Sequence, residues 1–166
     1  MGKPVTTTRK YHHGNLKEAF VTAGRDLLEK DGLVGLSFRK CAEQVGVSHT
    51  APKNHFGNMA GLLTAIVTQG YAELAQMMTI GLPDGADLDQ RRQTALLGYV
   101  EFAERNPSLY ELMFSRGRLV NDDPDLMREV RACFVILAEG SVGLGWHEGS
   151  VDEMNGKDRK STRLNS

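Results

Sequence analysis

LSFRKCAEQVGVSHTAPKNHF, residues 36–56, is the stretch whose reading decides the fold. Ser37 is an N-cap residue: its short side-chain oxygen accepts a bond from the free N–H groups that open a helix, and Leu36 and Cys41 flank that start as a hydrophobic staple. Phe38, Cys41, Ala42 and Val45 recur at helical spacing, while Arg39, Lys40, Glu43 and Gln44 take the other side. Gly46 supplies the left-handed residue that ends such a helix. Val47 is the expected buried residue of the turn, and Ser48 or Thr50 is expected to cap a short second helix ending near Phe56. Two short helices joined by a Gly-containing turn have the geometry that lays the second helix into a DNA major groove.

That pair also occurs in all-helical proteins that touch no nucleic acid, so the surface left over matters. On the second helix His49, Thr50, Lys53, Asn54 and His55 are donors or cations, and only Ala51, Pro52 and Phe56 are apolar. Most of such a helix has nothing to bury, which favours a polar partner. Charge agrees in direction. The overall balance is −1, yet residues 1–56 hold nine Lys and Arg against five acids. A basic segment that coincides with the turn motif is the expected footprint of a phosphate-binding surface.

Residues 11 to about 80 resemble the DNA-binding end of the TetR family of transcriptional regulators. The resemblance is carried by YHHGNLKEAF (11–20), by SFRKCAEQVGVSHTAPKNHF (37–56) and by GNMAGLL (57–63). It implies an all-α fold, with a three-helix DNA-binding domain (15–57), a long connecting helix (58–80) and a helical effector and dimerisation domain (88–140). It further implies a cytoplasmic, ligand-responsive repressor, a homodimer that binds an inverted-repeat operator in double-stranded DNA and answers a small-molecule effector. On this chain Thr50 and Ala51 stand where base edges are read, the hydroxyl for hydrogen bonds and the methyl groups for thymine. His49, Lys53 and His55, with Asn54 beside them, divide between bases and phosphates, and Arg39, Ser48 and Asn58 fix position on the backbone. The family usually has an aromatic residue where Lys53 stands and a lysine where Met59 stands, both positions associated with phosphates.

The rest of the chain supplies the frame. Its 166 residues, 40% hydrophobic and 25% charged, have an ordinary globular composition. No apolar run approaches the roughly 20 residues of a membrane span, and MGKPVTTTRKYHH lacks the hydrophobic centre of a signal peptide. Residues 1–14 read as a flexible basic arm whose Lys3, Arg9 and Lys10 either reach DNA or are simply solvated. His12 and His13 lack neighbouring ligands at metal spacing, and Asn15 with Glu18 opens a first helix over about 16–30. Its stripe is Leu16, Ala19, Phe20, Ala23, Leu27 and Leu28, and Gly32 ends it. Cys41 and Cys133 are read as buried thiols rather than a disulfide.

Asn58 is the expected cap of the fourth helix, which carries Leu62, Leu63, Ile66, Val67, Leu74, Met77 and Met78. The breaker-rich GLPDGAD (81–87) is the best boundary. Helical spacing resumes through Leu96, Leu97, Val100 and Ala103. Asn106–Pro107 and Asp123–Pro124 then each give a start signal, the second leading into Leu126, Val130, Phe134 and Leu137. Tyr99, Phe102, Tyr110, Met113, Phe114 and Phe134 are candidates to line an effector pocket, or else to fill a helical core.

Beyond Gly140 periodicity ends. The long dimer-forming helices of the family are not found there, and DRKSTRLNS resembles linker sequence, so residues 141–166 are expected to be an irregular tail from an interrupted reading frame. No catalytic pattern is present: there is no GxSxG elbow, no phosphate-cradling Gly loop and no HExxH. An enzyme is not expected, nor a cofactor or a metal. The alternative to a sequence-specific regulator is a truncated helical interaction protein with weak or non-specific DNA binding.

Overall fold

The computed structural model describes residues 16–141, which form seven α-helices and one 3₁₀ turn and, among those residues, no strand. The basic arm, the Asn15 start and the tail beyond Ser141 lie outside the described residues. Helix α1 (Leu16–Gly35) buries Phe20, Ala23 and Leu28, and it breaks at Gly32 (φ 67°, ψ −177°) before a last turn. Helix α2 (Phe38–Val45) is capped as the sequence suggests, with Ser37 Oγ accepting from the Lys40 N–H at 3.3 Å. Gly46 closes it at φ 78°, a left-handed angle that side chains resist, and its N–H donates to the Ala42 carbonyl at 2.9 Å. Helices α3 (Ala51–Phe56) and α4 (Met59–Met77) follow, the second opened by Asn58 Oδ1, which accepts from the Gly61 N–H at 3.0 Å.

Helix α4 is the axis of the molecule. It packs against α1 and α3 on one side and against α5 (Leu88–Arg105), α6 (Pro107–Met113) and α7 (Pro124–Gly140) on the other. Leu62, Ile66 and Val67 are fully buried along it and join Phe20, Leu28 and Cys41 to Phe102, Leu109 and Cys133 in one continuous core. Asp87 and Gln90 form a reciprocal capping box at the start of α5, and Asp123 Oδ1 accepts from the Leu126 N–H at 2.9 Å to open α7.

Two expectations are corrected here. Leu96, Leu97 and Val100 do not face the core: they are 56%, 63% and 53% exposed. The inward face of α5 is Ala95, Gly98 and Phe102, because α4 ends so close that a Cβ at position 98 would collide with the Met77 carbonyl. Val47, expected to be buried, is only half-buried at the edge of the core.

The thiols behave as read. Both are buried and free, and loss of water contact pushes Cys41 up to about 11 and Cys133 up to about 12. Cys133 Sγ donates to the Tyr71 carbonyl at 3.1 Å. Among the described residues no helix is long and apolar enough to cross a membrane, and no three metal-ligating side chains converge.

Candidate nucleic-acid interface

Helix α3 is seated from behind. Pro52 is fully buried, Phe56 is half-buried with its ring edge-on to Phe20 of α1 at 6.1 Å, and the His55 ring stands 6.0 Å from the same Phe20. Phe20 reads in the sequence as one more member of a stripe, but it is the floor on which the helix rests. On the opposite side His49, Thr50, Lys53 and Asn54 are exposed, as is His55 despite its ring contact. Ala51 is half-buried at the first turn.

The cap expected from Ser48 or Thr50 is not made. Thr50 occupies the N-cap position with helical angles (φ −85°, ψ −20°), and no side-chain bond reaches the helix start. A capping hydroxyl works from extended backbone, and Pro52 has already removed one donor of the first turn. The Thr50 hydroxyl instead pairs with Ser48 Oγ at 3.2 Å. Both hydroxyls therefore remain at the surface with capacity to bond outward.

The cations differ in availability. Arg39 donates from Nε to Glu43 Oε1 at 2.9 Å with its side chain 78% exposed, and the pairing raises its own pKa and lowers that of Glu43. An ion pair that open to water contributes little and exchanges readily for a phosphate. Lys40 reaches back to Asp31 at 3.2 Å. Lys53 has no ion-pair or hydrogen-bond partner among the described residues and stands on α3 itself. Asn58 is exposed, but its oxygen serves the α4 cap, which leaves its amide N–H groups for a backbone contact. Met59, at the first position of α4, is half-buried and has no donor to offer.

Of the six residues read as candidates for an effector pocket, Tyr99, Tyr110 and Phe114 form a run of ring contacts. Phe102 and Met113 are buried, and the Tyr99 and Tyr110 hydroxyls bond each other at 2.8 Å with rings edge-on. Burial and that bond push the Tyr99 hydroxyl well above its usual pKa. Phe114 meets Tyr110 with tilted rings at 5.0 Å while 59% exposed, and Phe134 is half-buried on α7. A cavity of about 480 Å³ lies elsewhere, between α1, α3, α4 and α7, against His55, Phe56, Thr68 and Glu129. A second, of about 230 Å³, separates the end of α1 from α6, and none of the six lines either one.

No family model matches the chain. Over 125 residues it is 30% identical to the nucleoid occlusion factor SlmA of Edwardsiella ictaluri, a match over 71% of this chain and 63% of that protein. The chain thus spans less than two thirds of the length of that curated relative. Among solved structures it superposes on a protein of unknown function from Rhodococcus sp. RHA1 with a TM-score of 0.64 and 25% identity, over 81% of this chain and 70% of the other. It also superposes on a possible TetR family transcriptional regulator from Streptomyces coelicolor A3(2) with a TM-score of 0.58 and 19% identity, over 82% of this chain and 62% of the other. These names speak of regulation and nucleoid occlusion rather than catalysis. With its short pair α2–α3 in front of a long α4 and a helical body, the chain has the all-α helix-turn-helix fold seen in TetR family regulators of known structure.

Proposed function

We propose that the chain is a sequence-specific DNA-binding regulator that reads the major groove with α3. The observation that carries the reading is the division of that helix. Pro52 is buried and Phe56 rests on Phe20 of α1, and the other side presents two surface hydroxyls, an amide, two imidazoles and Lys53, which has no partner among the described residues. Thr50 and Ala51 meet base edges, His49, Lys53, Asn54 and His55 share bases and phosphates, and Arg39, Ser48 and Asn58 hold the backbone. The regulatory names of its fold relatives support this reading.

In its finer form the protein is a repressor that acts as a homodimer on an inverted repeat. An effector would bind among Tyr99, Phe102, Tyr110, Met113, Phe114 and Phe134 by parting side chains that are packed in its absence. By preferring the conformer whose two heads are wrongly spaced, it would lower operator affinity. The test is selection of bound duplexes from a random library by the purified chain at near-physiological salt. Enrichment of an inverted repeat supports the whole reading, and a single half-site supports the head without the dimer. Absence of any enrichment sinks sequence reading and leaves weak, non-specific binding.

A second reading rests on the likeness to nucleoid occlusion factors. The same head would then mark many sites along a chromosome instead of a few promoters. Genome-wide mapping of bound sites separates the two by number and placement.

A further inference from the structure

Helices α1 and α7 both lie against α4, and a groove of about 480 Å³ opens between them. Its floor is the face of α4 on which Ala65, Thr68 and Ala72 recur at helical spacing. These side chains are small, which leaves the space between the flanking helices open. Val21 of α1 and Phe56 of α3 add apolar surface, the first buried and the second half-buried. The volume falls within the range of small-molecule sites, about 300–1,000 Å³.

The walls are charged, and unevenly. Glu18 of α1 stands on one side and Asp123, Asp125 and Glu129 of α7 on the other, whereas Lys17 is the one lysine or arginine among the lining residues. Arg128 offsets part of this from outside the groove, donating to Asp125 Oδ1 at 2.6 Å and to Glu129 Oε1 at 3.0 Å. Asp123 Oδ1 serves the start of α7. Two carboxylates keep capacity to bond inward. Glu18 is exposed and has no ion-pair or hydrogen-bond partner among the described residues. The Glu129 side chain is only 21% exposed, and its second oxygen takes no bond among those residues. A carboxylate sheltered to that degree attracts a cation more strongly than one in open water, because less solvent and salt stand between the charges.

We propose that this groove binds a small organic cation with an apolar body. The body lies on Val21, Ala65 and Ala72, and the cationic group is held by the carboxylates of Glu129 and Glu18. An anion of the same size would meet the same floor but the wrong charge on both walls. The site is separate from the six residues offered to an effector, none of which lines it, and it does not depend on the DNA reading.

The test titrates the full chain with benzyltrimethylammonium, and with phenylacetate as the anionic counterpart, while amide NMR shifts are followed residue by residue. Shifts should gather at Ala65, Thr68, Ala72 and Glu129 with the cation, and phenylacetate should bind at least tenfold more weakly. Glu129→Gln should weaken binding of the cation about tenfold, the scale of one charge-assisted contact. Glu104→Gln, an exposed change on α5 away from the groove, should leave it unchanged. Ala65→Leu, which fills the floor, should abolish it. No shifts at the four amides with millimolar cation overturn the proposal. Equal binding of phenylacetate, or an unchanged affinity in Glu129→Gln, overturns the assignment of charge. Shifts that gather instead at Tyr99, Tyr110 and Phe114 place the cation elsewhere and overturn the site. Should Ala65→Leu fail to fold, Glu129→Gln and the pair of probes still decide the matter.

Discussion

Lys53 occupies the place on α3 where a cation without an internal partner is most informative. A phosphate contact made by such a lysine releases about one condensed counterion, so Lys53→Ala should weaken binding similarly on all duplexes and lower the salt slope by about 1. Titrations at several salt concentrations read that slope, and an unchanged value takes Lys53 off the list of phosphate contacts. Arg39 should show less, since its pair with Glu43 competes for the same guanidinium. The buried thiols set a different expectation. In the unfolded chain a cysteine loses its proton near pH 9, whereas Cys41 holds its proton to about 11 and Cys133 to about 12. The folded state then binds more protons, and stability must fall as pH rises from 9 through those values, with a slope approaching about 1.4 kcal/mol per pH unit for each thiol. Thermal melts across alkaline pH should show the fall, and Cys41→Ala together with Cys133→Ala should flatten it. An equal slope in both proteins would place the loss elsewhere, at Tyr71 and Tyr99, whose hydroxyls are raised in the same direction.

At the scale of the element, the two candidate caps of the helix-turn-helix separate stability from recognition. Ser37 makes a cap bond and Thr50 makes none. Ser37→Ala should cost about 1 kcal/mol of stability, and Thr50→Ala should stay within about 0.5 kcal/mol while altering which duplexes are selected. Denaturant melts beside duplex selection decide this; a Thr50→Ala protein as destabilised as Ser37→Ala would mean that the hydroxyl works in the fold. The pair also shows what local sequence conveys. Ser37, Gly46, Asn58 and Asp123 act within a few residues of themselves, and each is legible as a start or a stop. The face of α5 was not, because its apolar residues run nearly around the helix and periodicity offers two solutions. Ala95 and Gly98 choose between them by letting α4 approach, a steric effect that hydrophobicity does not register. Within the candidate site, the polar surface of α3 was readable from composition. The seating of Phe56 on Phe20, and the bonds from Glu29 to amides 79 and 80 positions away, depend on chain closure and leave no local trace.

For the whole molecule the question is whether head and body fold as one. Their cores are continuous: Leu62, Ile66 and Val67 of α4 meet Phe20 and Leu28 on one side and share a cluster with Phe102 and Leu109 on the other. Leu109 is fully buried and packs its methyl groups 3.1–3.2 Å from where a Cβ on Gly70 would lie, so its side chain sits on the bare backbone of α4 at Gly70. Removing that side chain leaves a hole that rigid neighbours cannot fill, at a cost of about 2–5 kcal/mol. If the core is one unit, Leu109→Ala should lower hydrogen-exchange protection by a similar free energy in α1 and α4 as in α6, although α1 carries the reading head. Loss confined to α5, α6 and α7 would instead describe two units that open separately. The Arg25–Glu73 pair and the bond from the Leu109 N–H to Glu29 would then be docking contacts between independently folded parts.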